Sequence, residues 1–241
     1  MKVSRLIGLV MVCLSAWVHA GVMLYPPRLV IHADQPRGVV VTAINTDNKV
    51  YLAQSYVSDD TQSMNLPSSQ PLFQVVPPLT RIEANSKSLM RVVPLPSLMQ
   101  LPQDRESLFL FNMKFIPSLN PLAREPDDRN TGGSVRMLLT MQLKLFYRPA
   151  HLAMPQSDAF AHLVFTRQPG MIVVKNPSPY YITLGQLHFA NKAVPLDWKK
   201  NKVIAPFGEQ RYPSNASANT VSWSVLTDDG GVSKSFSSVL N

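Results

Sequence analysis

The sequence predicts an all-β protein of the sandwich type. Twenty-one prolines, ten glycines and other turn residues cut the chain into short runs of Val, Leu, Ile, Tyr and Phe, the pattern of many short strands joined by turns. The stretch 134–149, SVRMLLTMQLKLFYRP, is apolar at Val135, Met137, Leu139, Met141, Leu143, Leu145 and Tyr147. That alternation has the two-residue side-chain period of a strand. No interval carries a convincing amphipathic helix pattern.

Residues 1–20 read as a secretory signal peptide. Lys2 and Arg5 give a charged start, a short apolar run follows from Leu6, and Val18-His19-Ala20 is a small-residue cleavage site. The run is too short and wrongly flanked for a membrane anchor. No later segment approaches the roughly 18 consecutive apolar residues of a spanning helix, so the exported protein is expected to be soluble, without membrane insertion. The single cysteine, Cys13, lies inside the leader, which leaves the exported chain without a disulfide or a Cys-based metal site. The formal charge of +8 falls by two when Lys2 and Arg5 are removed. The remaining surplus suits an acidic partner or plain solubility and identifies neither.

Strands are expected at about 22–32, 38–45, 50–57, 71–76, 88–93, 107–116 and 134–147. The last is much longer than the usual strand of about 5–6 residues. A strand of that length outruns its sheet, and an uncovered apolar edge invites pairing with another chain. Residues 120–133, NPLAREPDDRNTGG, form a long polar loop before it. After Arg148, AHLAMPQSDAF reads as a connector. A second, smaller sandwich is then expected, with strands at about 162–167, 171–175, 180–189, 193–196, 201–204, 219–226 and 232–239. The domains are accordingly 21–148 and 149–241, after the leader 1–20.

Signatures of catalysis are missing. The histidines at 19, 32, 151, 162 and 188 include no pair at metal-ligand spacing, and there is no His-Glu-x-x-His, Gly-x-Ser-x-Gly or Gly-x-Gly-x-x-Gly. The acid pairs Asp59-Asp60, Asp127-Asp128 and Asp228-Asp229 stand in turn-like contexts. No enzyme activity, cofactor, metal or nucleic-acid partner is expected.

Several motifs together resemble the periplasmic pilus (fimbrial) assembly chaperones of the chaperone–usher pathway, the PapD-like family. They are LPQDRESLFLFN at 101–112, LKLFYRP at 143–149 and NPSPYYITL at 176–184. Shorter support comes from IAPFG at 204–208, DDGG at 228–231, VYLAQSY at 50–56 and Pro77-Pro78. The resemblance runs in order through the whole exported chain. It implies two immunoglobulin-like β-sandwich domains in an L-shaped arrangement. It also implies a periplasmic protein that completes pilus subunits by β-strand addition and delivers them to an outer-membrane usher.

The resemblance assigns residues as well. Val135, Met137, Leu139 and Met141 are the donor strand, with Gly133 at a shallow end. Arg28 and Lys144 bind the subunit's C-terminal carboxylate by charge-assisted hydrogen bonds. Glu106, Arg148 and Asp228 form an interdomain charge cluster that sets the angle between the domains. Departures from the family pattern are Ile31-His32-Ala33 after the cleft arginine, Pro27 for a hydroxylic residue and Tyr56 for tryptophan. The loop before the donor strand is longer than in the family's short-loop branch, and the disulfide frequent in the long-loop branch cannot form. The chain therefore reads as short-loop with an insertion. A secreted structural or adhesive sandwich protein is the competing reading, and it would need neither Arg28 with Lys144 nor an uncovered strand face.

Overall fold

The computed structural model describes residues 21–59, 71–117, 138–198, 200–214 and 219–240. Among them, the first half contributes strands β1 (Val22–Tyr25), β2 (Leu29–His32), β3 (Val39–Asn45), β4 (Tyr51–Asp59), β5 (Phe73–Val76), β6 (Leu79–Ile82), β7 (Lys87–Pro94), β8 (Ser107–Pro117) and β9 (Leu139–Arg148). They form two sheets, ordered β1-β3-β7-β5 and β2-β9-β8-β4-β6. Strand β2 runs parallel to β9, and every other pairing in these sheets is antiparallel.

Alternation along these strands buries one face of each sheet against the other. Val41, Ala43, Met90 and Val92 come from the first sheet, and Leu29, Ile31, Phe109, Phe111, Phe115 and Leu145 from the second, all essentially inaccessible. Phe73 meets Phe109 edge to face, with centroids 4.9 Å apart, and so locks the two layers together.

The expected strand 22–32 is two strands. The chain breaks at Pro26-Pro27, because prolines carry no N–H for a ladder. Strand β1 then enters one sheet and β2 the other. Two strands escaped the sequence reading, β6 and, in the second half, β15. Both are edge strands, where one row of backbone groups needs no partner and polar or proline-flanked segments are tolerated.

The second half contains β10 (Val164–Gln168), β11 (Met171–Lys175), β12 (Ile182–Phe189), β13 (Lys192–Ala193), β14 (Val203–Ile204), β15 (Glu209–Pro213), β16 (Thr220–Val225) and β17 (Phe236–Val239). One sheet is β10-β11-β15. The other is β13-β12-β16-β17, with β14 also on β12. Its core centres on Phe165, Tyr212 and Trp223; Phe165 and Trp223 pack with centroids 4.7 Å apart. The connector holds a single helical turn, α1 (Gln156–Ala159). It is tied down by Tyr180 Oη donating to the Met154 carbonyl at 2.8 Å and Trp223 Nε1 donating to that of Phe160 at 2.9 Å.

Candidate functional site: the junction of the halves and strand β9

Strand β9 has three environments along its length. Its odd side chains face Phe109, Phe111, Met113 and Phe115 of β8. Leu145 and Tyr147 lie in the first core, Met141 and Leu143 are half-buried against it, and Leu139 is 47% exposed. Strand β8 pairs with β9 from Leu139 to Tyr147, whereas β2 pairs with it only from Leu145 to Arg148. Among the described residues, no strand covers the other edge of β9 between Leu139 and Lys144. Val135, Met137 and Gly133 of the expected donor stretch lie outside the described residues.

The even residues at the end of β9 turn toward the second half. Phe146 packs on Tyr181, with Leu108, Val30 and Val203 around them. This small apolar cluster joins the halves. A polar cluster lies beside it. Arg148 Nε donates to Glu106 Oε1 at 2.7 Å and Arg148 Nη1 to Asp228 Oδ2 at 2.8 Å. Glu106 Oε2 accepts the Tyr181 amide at 2.8 Å, and Gln156 Nε2 donates to Asp228 Oδ1 at 3.0 Å. The three charged residues expected to cluster are thus in contact.

Local structure explains why the second half presents these groups. Asn176, fully buried, donates through Nδ2 to the carbonyls of Tyr180 at 2.7 Å and Ala205 at 3.0 Å, and its Oδ1 accepts from Ser178. This ties NPSPYY to IAPFG and points the Pro179 carbonyl at the Glu106 amide, 2.8 Å away. The DDGG turn carries Asp228. There Gly230 has φ +84°, and a Cβ on it would come within 2.6 Å of Pro27. Only glycine allows both the left-handed conformation and the close approach.

Electrostatics differ sharply among the acids. Burial pushes the Glu106 carboxyl above its ordinary range and outweighs Arg148 and the Tyr181 amide. Asp228 is also disfavoured by burial, but hydrogen bonds from Arg148 and Gln156, with the charges of Arg148 and Arg28, hold it below the usual carboxylate value.

Arg28 has a role that the sequence did not disclose. Its Nη1 donates to the Leu226 carbonyl at 3.1 Å, its Nη2 to Thr183 Oγ1 at 2.5 Å, and it stands 3.9 Å from Asp228. The guanidinium also lies 4.3 Å above the Phe146 ring. Burial lowers its pKa from the ordinary arginine value. It therefore links the halves as well as facing the junction. The sequence names no role for Thr183, although it lies within the stretch 176–184, for Gln156 or for the Leu226 carbonyl, because their contacts join residues 155, 72 and 198 positions apart.

Parallel pairing sets Leu29 opposite Leu145. Extending that register by one residue brings Arg28 level with Lys144. Lys144 is half-buried, and its Nζ lies 5.8 Å from the centre of the Trp198 ring. Two cations from adjacent strands thus stand at one height beside the edge of β9 that no other described strand covers. The arrangement can take an extended chain along that edge and an anionic group at its end. Among the described residues no helix is long and apolar enough to cross a membrane, and no group of three or more His, Cys, Asp or Glu is placed to hold a metal.

Comparison with known proteins agrees with this geometry. Residues 21–153 match the family model described as pili and flagellar-assembly chaperone, PapD N-terminal domain, and residues 158–237 match that of the pili assembly chaperone PapD, C-terminal domain. The chaperone protein FimC of Escherichia coli (strain K12) is 30% identical over 225 residues, covering 92% of this chain and 85% of FimC. The crystal structure of the E. coli chaperone DraB superposes with a TM-score of 0.75 at 30% identity, over 92% of this chain and 97% of that one. A structure of the Salmonella enterica SafA pilin in complex with the SafB chaperone gives 0.75 at 27% identity, over 93% and 99%.

Proposed function

This chain belongs to the PapD family of pilus-assembly chaperones, and from that premise we propose that it captures pilus subunits in the periplasm by lending them the outer part of β9. The Salmonella relative was solved with a pilin, which supports a pilin-like partner here. The observation that carries the reading is the edge of β9 from Leu139 to Lys144, which no other strand among the described residues covers, beside two cations level in register. An incomplete subunit lacking a strand exposes an apolar groove and unpaired backbone groups. The β9 edge satisfies the backbone groups by β-augmentation, and its odd side chains fill the groove.

Arg28 and Lys144 would receive the subunit's terminal carboxylate, fixing the register of the added strand. The donor residues are Val135, Met137, Leu139 and Met141. Of the two described, Leu139 is the better placed, since Met141 already packs on the chaperone's own core. The domains are 21–148 and 149–241, set in an L by the Glu106–Arg148–Asp228 cluster. The leader 1–20 directs export, and an outer-membrane usher receives the loaded complex.

Lys144→Ala is the clean test, because Arg28 also holds the halves together. Loss of one charged hydrogen-bond partner removes about 1.5–3 kcal/mol from the anchor. Periplasmic co-purification with the cognate subunit should fall sharply while the variant stays folded. Undiminished recovery would refute the anchor.

A further inference from the structure

We propose that Asn112 is a positioning residue for strand capture: bonded to Gln142 on one side and Ser58 on the other, it holds the outer part of β9 extended and in register before a partner arrives. The inference rests on the reading of β9 given above. Asn112 lies within the stretch 101–112, but the sequence assigns no role to it, to Gln142 or to Ser58. Gln142 Nε2 donates to Asn112 Oδ1 at 2.7 Å, and Asn112 Nδ2 donates to Ser58 Oγ at 2.8 Å. This chain of side-chain hydrogen bonds crosses three neighbouring strands, β9, β8 and β4. In register, Asn112 stands opposite Gln142 on one side and Tyr56 on the other.

Asparagine is an unexpected residue at this place. It is depleted in strands, yet this one is 2% exposed in the middle of β8, which has strands on both sides. Its neighbours Phe111 and Met113 point into the first core, so alternation sets Asn112 on the opposite face of the sheet. A buried amide costs stability unless it is hydrogen-bonded. Here it is engaged further, since Nδ2 also donates to the Leu110 carbonyl at 3.1 Å. An apolar side chain would fill the position without needing any of these bonds. What the amide adds is reach sideways along the sheet, to β4 and to β9.

The strand it reaches is the one that needs bracing. Strand β2 flanks β9 only from Leu145 to Arg148, and no other strand among the described residues covers Leu139 to Lys144 on that side. A strand held from one side opens more readily than one held from both. An arriving chain is best met by a backbone already extended, because ordering it at the moment of binding weakens the complex. The apolar side chains of this stretch give partial hold, with Leu139 47% exposed and Met141 and Leu143 half-buried. Gln142, in its middle, is tied to β8 from the other face. Ser58 fixes the sense of that tie, because an Asn112 amide that spends Nδ2 on β4 turns Oδ1 toward β9. The partner class is an incomplete subunit whose edge strand pairs with β9.

The test compares the exported wild-type protein with Gln142→Ala and Ser58→Ala. Amide hydrogen exchange is followed residue by residue in the free proteins. Losing one hydrogen bond of the chain should speed exchange of the β9 amides between Leu139 and Lys144 by about two- to tenfold. Amides from Leu145 to Arg148 and the melting temperature should stay as in wild type. Ser58→Ala is the discriminating variant, because β4 does not pair with β9 and its effect must pass through Asn112. Capture is read as the periplasmic yield of the pilin subunit that co-purifies with wild type, and it should fall in both variants. Unchanged exchange between Leu139 and Lys144 in either variant would overturn the inference. So would a rise spread equally over all of β9, which would make the chain a plain contribution to stability, or faster exchange with undiminished capture. A wild type that yields no subunit would refute the capture reading itself, an outcome distinct from these.

Discussion

Replacing Arg148 with alanine should be among the most damaging single changes at the junction, and the reason can be worked from its partners. Glu106 is 3% exposed and has two hydrogen-bond donors, Arg148 Nε and the Tyr181 amide. Without Arg148 the carboxylate keeps one neutral donor and only the weaker influence of Arg28 as countercharge. Removing one partner of a buried pair costs about 3–5 kcal/mol, mostly through the charge left behind. Asp228 contributes less, because its side chain is 31% exposed and solvent screens it; exposed pairs give about 0–1 kcal/mol. The loss should therefore come mainly from stranding Glu106. Adding Glu106→Gln to Arg148→Ala should then recover at least about 1 kcal/mol, since glutamine still accepts from Tyr181 and leaves no buried charge. Urea unfolding followed by circular dichroism and by emission of the buried Trp223 reports both numbers. An Arg148→Ala protein within about 0.5 kcal/mol of wild type, or a double variant no more stable than the single, would refute the reasoning.

Leu139→Asp should leave the free protein's melting curve almost unchanged, because surface substitutions usually stay within about 0.5 kcal/mol. It should abolish subunit capture in a pull-down, since an unpaired carboxylate cannot enter an apolar groove; a variant that unfolds alone would place Leu139 in the chaperone's own core. Asp228 predicts a pH effect. Its folded-state pKa lies below the ordinary value, so its contribution is fully present above the unfolded pKa of about 3.9. That contribution disappears as pH falls through the folded value, where the unfolded chain already binds the proton. Burial of Glu106 acts in the opposite sense, but Glu106 is common to wild type and Asp228→Asn. The stability difference between those two proteins should therefore shrink on acidification from pH 7 to 3, and a constant difference in urea titrations would count against the assignment.

The all-β class and the long strand at the end of the first half were legible because the odd positions of β9 are apolar from Leu139 to Tyr147, with Phe146 the one apolar exception among the even positions between them. Val135 and Met137, at its expected outer end, lie outside the described residues. Strand β15, EQRYP, was missed because an edge strand has one bare side and its composition carries little apolar signal. The break at Pro26-Pro27 was visible as a pair of prolines, but its consequence, a switch between sheets, depends on where β3 and β9 lie. Among site residues, Glu106, Arg148 and Asp228 came from motif resemblance, and the fold brings all three together. The sequence gives no sign of what Thr183, inside the stretch 176–184, and Gln156 touch. Each acts through a partner far away in sequence, and the double engagement of Arg28 arises from the same cause.

In the proposed capture, strand β9 would connect subunit binding to domain geometry. Leu145 and Tyr147 fix it in the first core, Phe146 and Arg148 clamp it to the second half, and Leu139 to Lys144 extend beyond β2. The height of Arg28 against Lys144 is set by four parallel pairs, Leu29 to His32 against Leu145 to Arg148. The last of those pairs ends on the residue that binds Glu106 and Asp228. Disturbing the charge cluster would therefore act on the proposed anchor without touching a ligand, by loosening the strand that carries Lys144 and the turn that packs on Pro27 beside Arg28. A receptor for a chain terminus needs its cations fixed to within a fraction of an ångström of their working places. Here that rigidity comes from ordinary sheet pairing on one side and a buried ion cluster on the other. In the proposed capture, the interdomain acids would then serve binding as well as the fold.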